Sequence, residues 1–287
     1  MNIGAIEAGG TKFVCAVADE SGKITAKTTF PTEDPETTFQ NVQRFFGDHQ
    51  IHALGIGSFG PVDLDKSSNT YGSILNTPKT KWKNYDVLGR LKKDLQIPIF
   101  IDTDVNAAAL AEYQYGAGRD VSSCMYITVG TGIGAGFVQN GKTYIGKSHP
   151  EMGHILVRQH ASDQFAGNCP YHGNCLEGLA SGPAIEKRYG KKGIELADAQ
   201  HVWELEAFYL AQAIMNYFLI LSPERVILGG GVMKQGQLYP LVRKKFLELV
   251  NDYVAVDDME TFIVAPELDD EQGIRGAMEL VRSADNV

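Results

Sequence analysis

The first half of the chain opens with three short apolar, β-branched runs and continues with alternating helical and strand patterns. The runs cover residues 3–8, 13–18 and 24–30, and the turn-forming groups Gly9-Gly10-Thr11 and Glu20-Ser21-Gly22 separate them. This pattern predicts three antiparallel strands joined by tight turns. Apolar spacing then predicts a helix from Pro35, a strand at 53–57, a helix at 84–94, a strand at 97–101 and a helix at 105–115.

The second half repeats this order of elements. Apolar runs at 124–129 and 134–139 meet at a glycine-rich turn, and Asn140-Gly141 predicts a hairpin into a third strand at 143–146. Helices and strands then follow at 182–189, 198–221, 225–228, 237–251, 261–265 and 271–283. The shared order predicts two duplicated α/β lobes that face one another. We place the first lobe at residues 1–117, completed by a C-terminal helix within 271–287, and the second at 118–270.

Composition and charge narrow the class of protein. Of 287 residues, 44% are hydrophobic, and 26 basic against 35 acidic residues give a net charge of −9. A nucleic-acid binder needs a basic face, so nucleic acid is disfavoured as a partner. The uncharged stretch 207–221 is too short to span a membrane, and four cysteines are too few for a disulfide scaffold. Because the N-terminus also lacks a targeting signal, we expect a cytoplasmic protein with no membrane partner.

Three glycine-rich turns are candidates for phosphate binding. Glu7-Ala8-Gly9-Gly10-Thr11-Lys12 and residues 130–136 each join two predicted strands, which leaves backbone amides available to an anion. Gly229-Gly230-Gly231 follows the strand at 225–228. An ordinary hairpin or a flexible connection explains each turn when it is taken alone. The nucleotide-binding interpretation gains weight because the first two turns occupy matching positions in the two halves. A dinucleotide-binding motif is excluded, since the second turn leads into a strand.

Asp102-Thr103-Asp104 lies where a predicted parallel strand ends and an alanine-rich helix begins. The ordinary role of Asp104 there is to cap the helix. The functional alternative is a carboxylate at the ligand-binding edge of the sheet, where it accepts a hydroxyl proton during phosphoryl transfer. The sequence alone leaves both roles open.

Two histidines and two cysteines come together in the sequence around one loop, 154–175: His154, Cys169, His172 and Cys175. Two nitrogen and two sulfur ligands suit tetrahedral zinc in a structural site, and a loop containing Pro170 and several glycines would gain rigidity from the metal. Unrelated surface histidines and reduced thiols are the alternative. Half of the four cysteines fall in this loop, which favours zinc. Cys15 and Cys124 lie in apolar strands and are interpreted as core residues.

Two carboxylates flank the same loop. Glu151 precedes Gly153-His154, and Glu177 follows Cys175-Leu176. A carboxylate held beside a metal-bound loop can accept hydrogen bonds from sugar hydroxyls with fixed geometry. Solvation of an exposed side chain is the simpler explanation for either residue taken singly.

Taken together, these motifs resemble the ROK family, which comprises repressors, uncharacterised open reading frames and sugar kinases. The resemblance covers essentially the whole chain, through EAGGTK, IDTDVNAAALAE, VGTGIGAG, PEMGH, CPYHGNCLEGLASGP and ILGGGV. This combination is far more specific than any one motif, and it is closest to the bacterial fructokinase branch. It implies an actin/hexokinase-like (ribonuclease H-like) α/β fold with duplicated lobes and a central cleft. It also implies a homodimer.

The resemblance implies roles for individual residues. Asp104 would be the general base that deprotonates the attacking sugar hydroxyl. The positions that resemble sugar-contacting residues are Asn76, Asn106, Glu151, His154 and Glu177. The positions that resemble ATP-binding residues are Gly10, Thr11, Lys12, Thr131, Gly132, Pro183, Gly230 and Gly231. Magnesium is implied as the counter-ion of ATP, and zinc as a structural ion on His154, Cys169, His172 and Cys175.

The chain departs from the common family pattern at three places. Glu7 replaces an aspartate, Thr103 replaces an asparagine that often precedes the general base, and CPYHGNC replaces the common C-x-C-G-x-x-G-C run. The last change is typical of fructokinases, so we expect a kinase that converts ATP and D-fructose to ADP and fructose 6-phosphate. Another hexose, such as mannose, glucose or allose, remains open as the substrate. A sugar-responsive transcriptional regulator is disfavoured, because such members carry an N-terminal helix-turn-helix and here a strand begins at residue 3.

Overall fold

The computed structural model describes residues 1–256 and 258–284, and the chain within it divides into two units. Unit 1 comprises residues 1–115, 141–150 and the described residues from 268 onward. Unit 2 comprises residues 116–140 and the described residues of 151–267. The last three residues of the predicted C-terminal helix 271–287 lie outside the described residues.

Unit 1 contains a five-stranded sheet in the order β3-β2-β1-β4-β7. The antiparallel part consists of β1 (Ile3–Ala8), β2 (Lys12–Ala18) and β3 (Ile24–Pro31). The parallel part continues from β1 through β4 (Ala53–Ser58) and β7 (Ile99–Thr103). These strands lie where the apolar runs predict them.

Helices cover both faces of this sheet. α1 (Pro35–Gly47) and α2 (Val87–Leu95) share a core with Ile6, Phe13 and Cys15, whereas α9 (Gln272–Ala284) packs on the opposite face against Ala5 and Val14. Successive residues of a strand therefore point into cores on opposite faces of the sheet, because side chains alternate between the two faces along a strand. Asp34 caps α1 by accepting a hydrogen bond from the Thr37 amide at 3.0 Å, directly before Pro35.

α3 (Asp104–Tyr115) packs closely against α9 because glycine stands at their contact. A methyl group on Gly276 of α9 would lie 1.8 Å from the Ala107 carbonyl oxygen of α3, well inside van der Waals contact. The absence of a side chain at this position therefore sets the distance between the two helices. Because α3 begins at Asp104, the packing of α9 also supports the start of α3.

Unit 2 contains a second sheet whose strands follow the order β9-β8-β11-β12. β8 (Ser123–Val129) and β9 (Ile133–Gln139) are antiparallel, while β11 (Arg225–Gly229) and β12 (Ile263–Val264) run parallel to β8. The same arrangement in both units supports the predicted duplication. The turn after β9 has the expected left-handed pair, with φ of 51° at Asn140 and 75° at Gly141.

The helices of unit 2 surround α6 (Gln200–Leu221), whose largest buried side chains include Trp203 and Tyr209. The other helices of this unit are α4 (Leu176–Ala180), α5 (Gly182–Tyr189), α7 (Leu238–Val250) and α8 (Met259–Phe262). The apolar stretch 207–221 is thus the second half of a core helix. Among residues 1–256 and 258–284, no helix is both long and apolar enough to cross a bilayer.

Several predicted bounds were wrong. The strand expected at 143–146 is only β10 (Lys142–Thr143), and the one at 261–265 shrinks because α8 occupies 259–262. The helix expected from 84 begins at Val87, because the two-residue strands β5 (Ser73–Ile74) and β6 (Tyr85–Asp86) pair with each other. Each difference follows from a short local hydrogen-bonding motif that apolar spacing does not register.

Candidate active site

The start of α3 places Asp104 at the end of a parallel strand. β7 ends at Thr103, whose hydroxyl oxygen accepts a hydrogen bond from the Asn106 amide at 3.2 Å, so Thr103 supplies the helix cap. Asp104 Oδ1 accepts from the Val105 amide at 2.9 Å, and the side chain is half-buried. The N-terminal end of the helix favours its negative charge. Asp104 therefore does not fill the capping role that the sequence left open.

Asp102 holds this corner of unit 1 together. Its carboxylate is 4% exposed and accepts hydrogen bonds from the Thr103 amide at 2.7 Å, Asn106 Nδ2 at 2.7 Å and Thr143 Oγ1 at 3.0 Å. Burial raises the pKa of Asp102, while these three donors act in the opposite direction. The contact with Thr143 also explains why residues 141–150, which follow a hairpin of unit 2, belong to unit 1.

Two of the predicted sugar-contacting residues lie in unit 1, in different environments. Asn106 is completely buried, and its Oδ1 has no partner among the described residues. Asn76 is exposed on the loop after β5. The structure thus puts Asn106 beneath the surface, where it is hydrogen-bonded to Asp102, and Asn76 at the surface.

The first glycine turn, residues 9–12, joins β1 to β2. The Gly9 amide donates to the Lys12 carbonyl at 3.0 Å, while the carbonyls of Gly9 and Thr11 accept from the hydroxyl and the amide of Thr32 at 2.7 and 2.9 Å. The Gly10 and Thr11 amides donate to no group among the described residues. A turn whose carbonyls are occupied and whose amides remain available suits an anion.

The second glycine turn, the third glycine turn and the start of α5 are neighbours within unit 2. The Gly182 amide, directly before Pro183, donates to the Gly130 carbonyl at 2.8 Å. A methyl group on Gly130 would lie 3.8 Å from the Gly231 nitrogen. Gly230 has a φ of +91°, which favours glycine, and a methyl group there would lie 2.5 Å from the Val129 carbonyl oxygen. The ATP-binding candidates of unit 2 (Thr131, Gly132, Pro183, Gly230 and Gly231) therefore belong to one region.

The four predicted metal ligands converge. Their ligand atoms all lie within 4.8 Å of one another. His154 Nδ1 is 3.7 Å from Cys169 Sγ and 3.5 Å from Cys175 Sγ, and His172 Nδ1 is 3.7 Å from Cys169 Sγ. Ligands around a tetrahedral zinc are separated by roughly 3.3 to 3.8 Å, given its bond lengths. The donor set and its spacing therefore fit zinc.

Glu177 connects this cluster to the second glycine turn. Its Oε2 accepts a hydrogen bond from the Ile133 amide at 3.0 Å, and its Oε1 lies 4.0 Å from His154 Nε2. A carboxylate facing the second ring nitrogen of a histidine ligand is a common arrangement at metal sites. The predicted sugar contact at Glu177 thus also fixes the backbone of the turn, a role that sequence spacing does not reveal.

Glu151 precedes the 3₁₀ turn Met152–His154 and keeps contact with solvent. Two effects raise the pKa of Glu151: the larger is partial loss of hydration beside neighbouring protein atoms, and the smaller is the negative charge of Glu177. The His154 amide donates to the Glu151 carbonyl at 3.0 Å, so one turn of backbone carries both residues. The structure brings Glu151, His154 and Glu177 together in unit 2.

Comparison with known proteins shows the family of this chain. The family model of the ROK family matches residues 3–284. The chain is 50% identical over 286 residues to a Bacillus subtilis (strain 168) protein named "Putative fructokinase", covering 98% of this chain and 96% of that protein. It is 43% identical over 284 residues to a fructokinase of Pediococcus pentosaceus, covering 99% of each. This chain belongs to the ROK family.

A solved ROK structure shows the same fold. The crystal structure of a ROK hexokinase from Thermus thermophilus matches with a TM-score of 0.80 and 25% sequence identity, and the match covers 100% of both chains. The predicted family and the predicted actin/hexokinase-like α/β class are therefore confirmed.

Proposed function

We propose that this chain is an ATP-dependent fructokinase, which transfers the γ-phosphoryl group of ATP to the 6-hydroxyl of D-fructose. The observation that carries the proposal is Asp104, a half-buried carboxylate at the end of a parallel strand, in a chain 43–50% identical to proteins named as fructokinases. Sugar kinase chemistry needs one proton acceptor at the attacking hydroxyl, and Asp104 is the candidate at this strand end.

In the proposed reaction, Asp104 accepts the proton of the sugar hydroxyl as its oxygen bonds to the γ-phosphorus. The bond between that phosphorus and the β,γ-bridging oxygen breaks, ADP leaves, and the proton remains on Asp104 until it passes to solvent. The sugar is held by Glu151, His154 and Glu177, with Asn76 as a further contact. Buried Asn106 supports the site through its 2.7 Å hydrogen bond to Asp102.

The glycine turns are the proposed ATP-binding elements. The available amides of Gly10 and Thr11, with the Lys12 ammonium, bind phosphate oxygens, and the region formed by Thr131, Gly132, Pro183, Gly230 and Gly231 binds the nucleotide. Magnesium, the expected counter-ion of ATP, would neutralise phosphate charge in the complex. Glu7, near the end of β1 and close to the first turn, would offer the oxygen donor that this hard cation prefers.

We propose that the cluster of His154, Cys169, His172 and Cys175 holds a structural zinc ion. All four positions are filled by protein ligands, so zinc there supplies rigidity and leaves no open position for water. It would fix the loop that carries His154 and, through the hydrogen bond between Glu177 and Ile133, the second glycine turn.

The variant Asp104→Asn tests the general base. We expect kcat with fructose to fall about a thousandfold, because removal of a positioned base typically costs about 10²- to 10⁴-fold. Binding of ATP, measured by calorimetry, should be unchanged. Asp48→Asn, an exposed aspartate of the same unit, should keep wild-type kcat. A folded Asp104→Asn protein with wild-type kcat would refute the assignment.

A panel of hexoses with ATP and magnesium tests the substrate. We expect the highest kcat/KM with fructose. A higher kcat/KM with glucose, mannose or allose would show that fructose is not the preferred substrate, whereas the proposed reaction class would still stand.

The family resemblance further leads us to propose a cytoplasmic homodimer. Sedimentation equilibrium at micromolar concentration tests the dimer.

A further inference from the structure

A second lysine lies on the first glycine turn. A methyl group on Gly10 would lie 3.0 Å from Lys79 Cε and 3.9 Å from Lys79 Cδ, so the aliphatic part of Lys79 crosses directly over the turn. Lys79 is far from this turn in sequence. Its position beside the amides of Gly10 and Thr11 is visible only in the folded chain.

The charge of Lys79 is not neutralised by a neighbour. Within residues 1–256 and 258–284, no carboxylate pairs with Lys79, whereas Lys81 lies 3.9 Å from Asp34. Lys79 is exposed, and the turn beneath it presents amide donors. Two available amides and an unpaired ammonium side by side form a site for an anion with several oxygens.

The backbone that carries Lys79 is rigidly anchored. The Trp82 amide donates to the Lys79 carbonyl at 2.8 Å, and the Trp82 ring is 2% exposed with its Nε1 bonded to the Glu33 carbonyl at 2.8 Å. The ring centroid of Trp82 lies 5.6 Å from that of Phe13, the residue directly after Lys12. One aromatic core therefore holds the turn and the segment of Lys79 together.

We infer that Lys79 is a catalytic residue of the proposed kinase, whose ammonium contacts the phosphate oxygens of ATP at the first turn. This inference rests on the proposed function. The cation compensates the negative charge on those oxygens as the terminal phosphoryl group is transferred, and a prepositioned charge is more effective there than water. Lys12 and Lys79 would then act on the same phosphate tail from the two sides of Gly10.

The variants Lys79→Met and Lys79→Arg test the inference, with Lys81→Met as the matched control. We expect Lys79→Met to lower kcat/KM for ATP by about 100-fold, the scale of one lost charge-stabilising donor, with an unchanged KM for fructose. Lys79→Arg should recover part of this loss because it keeps the charge. Lys81→Met should stay within about threefold of wild type, and all melting temperatures should agree, because these side chains are exposed.

Calorimetry with three ligands separates this inference from the proposed function. Lys79→Met should weaken binding of ATP and of inorganic tripolyphosphate about tenfold or more, while adenosine binds as in wild type. These binding measurements remain informative even if the wild-type protein phosphorylates none of the sugars. That outcome would refute the proposed function but not the role of Lys79 in phosphate binding. Wild-type affinity of Lys79→Met for tripolyphosphate, or a loss confined to the KM for fructose, would overturn the inference.

Discussion

The two units share a strand order but hold their candidate site residues by different means. In unit 1, Asp104 starts a helix that packs against a second helix at Gly276, and the buried Asp102 ties the strand end to Asn106 and Thr143. In unit 2, Glu151 directly precedes the short 3₁₀ turn that carries His154. Two cysteines and a second histidine lie beside His154, and the Ile133 amide donates a hydrogen bond to the neighbouring Glu177 carboxylate.

This difference indicates which kind of substitution should destabilise each unit most. Unit 1 depends on close packing and on a buried carboxylate whose hydrogen bonds must be kept. In unit 2 we propose that a metal ion on the four-residue cluster adds order to the loop 154–175, part of which already packs against the core of that unit through Ile155, Val157 and Phe165. Packing, ligation and hydrogen bonding can be removed one at a time, so the comparison can be tested directly.

The largest effect should come from the cluster of unit 2. If the proposed zinc is bound, we expect His172→Ala to lower the melting temperature by on the order of 10 °C, because the exposed side chain of His172 would contribute to stability chiefly as a ligand of that ion. Elemental analysis should find about one zinc per wild-type chain and less in the variant.

His160→Ala is the matched control for that experiment, since His160 is also exposed but lies outside the cluster. It should retain zinc and change the melting temperature little. Equal behaviour of the two variants, together with wild-type protein free of zinc, would show that unit 2 does not depend on ligation.

A smaller effect is expected from the helix contact of unit 1. Gly276→Ala places a methyl group 1.8 Å from the Ala107 carbonyl oxygen, so α3 and α9 must move apart. Overpacking of this kind costs about 1–3 kcal/mol, which urea denaturation can measure. Since α3 carries Asp104, kcat should fall as well.

Gly47→Ala provides the control for this contact, because a methyl group there meets no atom within 4 Å. Its stability should equal or slightly exceed that of wild type. If Gly276→Ala were as stable as Gly47→Ala, close packing of α9 on α3 would not be what supports unit 1.

The smallest effect is expected from a single hydrogen bond. Thr143→Val keeps the shape of the side chain but removes the 3.0 Å hydrogen bond to Asp102 Oδ2, at a cost of about 1 kcal/mol. In a double-mutant cycle with Asp102→Asn the two changes should be non-additive, because both act on one carboxylate. Strict additivity would mean that residues 141–150 attach to unit 1 by other contacts.

The long elements could be predicted from sequence because each buries a continuous apolar stripe. The apolar runs 3–8 and 13–18 and the apolar spacing after Pro35 correspond to buried positions in β1, β2 and α1. The order of elements then gave two similar units, and the motifs gave the family. Side-chain chemistry with characteristic spacing likewise located the cluster of cysteines and histidines.

Contacts between residues distant in sequence could not be predicted in this way. No local pattern shows that Thr143 binds Asp102, that Glu177 fixes the Ile133 amide, or that Lys79 crosses Gly10. The sequence also left the helix cap open, since Thr103 and Asp104 both suit that position and only the folded backbone decides between them. The sequence therefore identified the candidate functional residues, and the fold determined which residues each of them contacts.

The chain changes unit after residues 115, 140, 150 and 267. A ribosome therefore delivers the five strands of the first sheet long before it delivers α9, the helix that covers Ala5 and Val14. The nascent chain must keep that face protected while nearly the whole of unit 2 is synthesised. A messenger truncated before codon 272 would release a product that lacks α9 and exposes this apolar face, a target for chaperones and proteases.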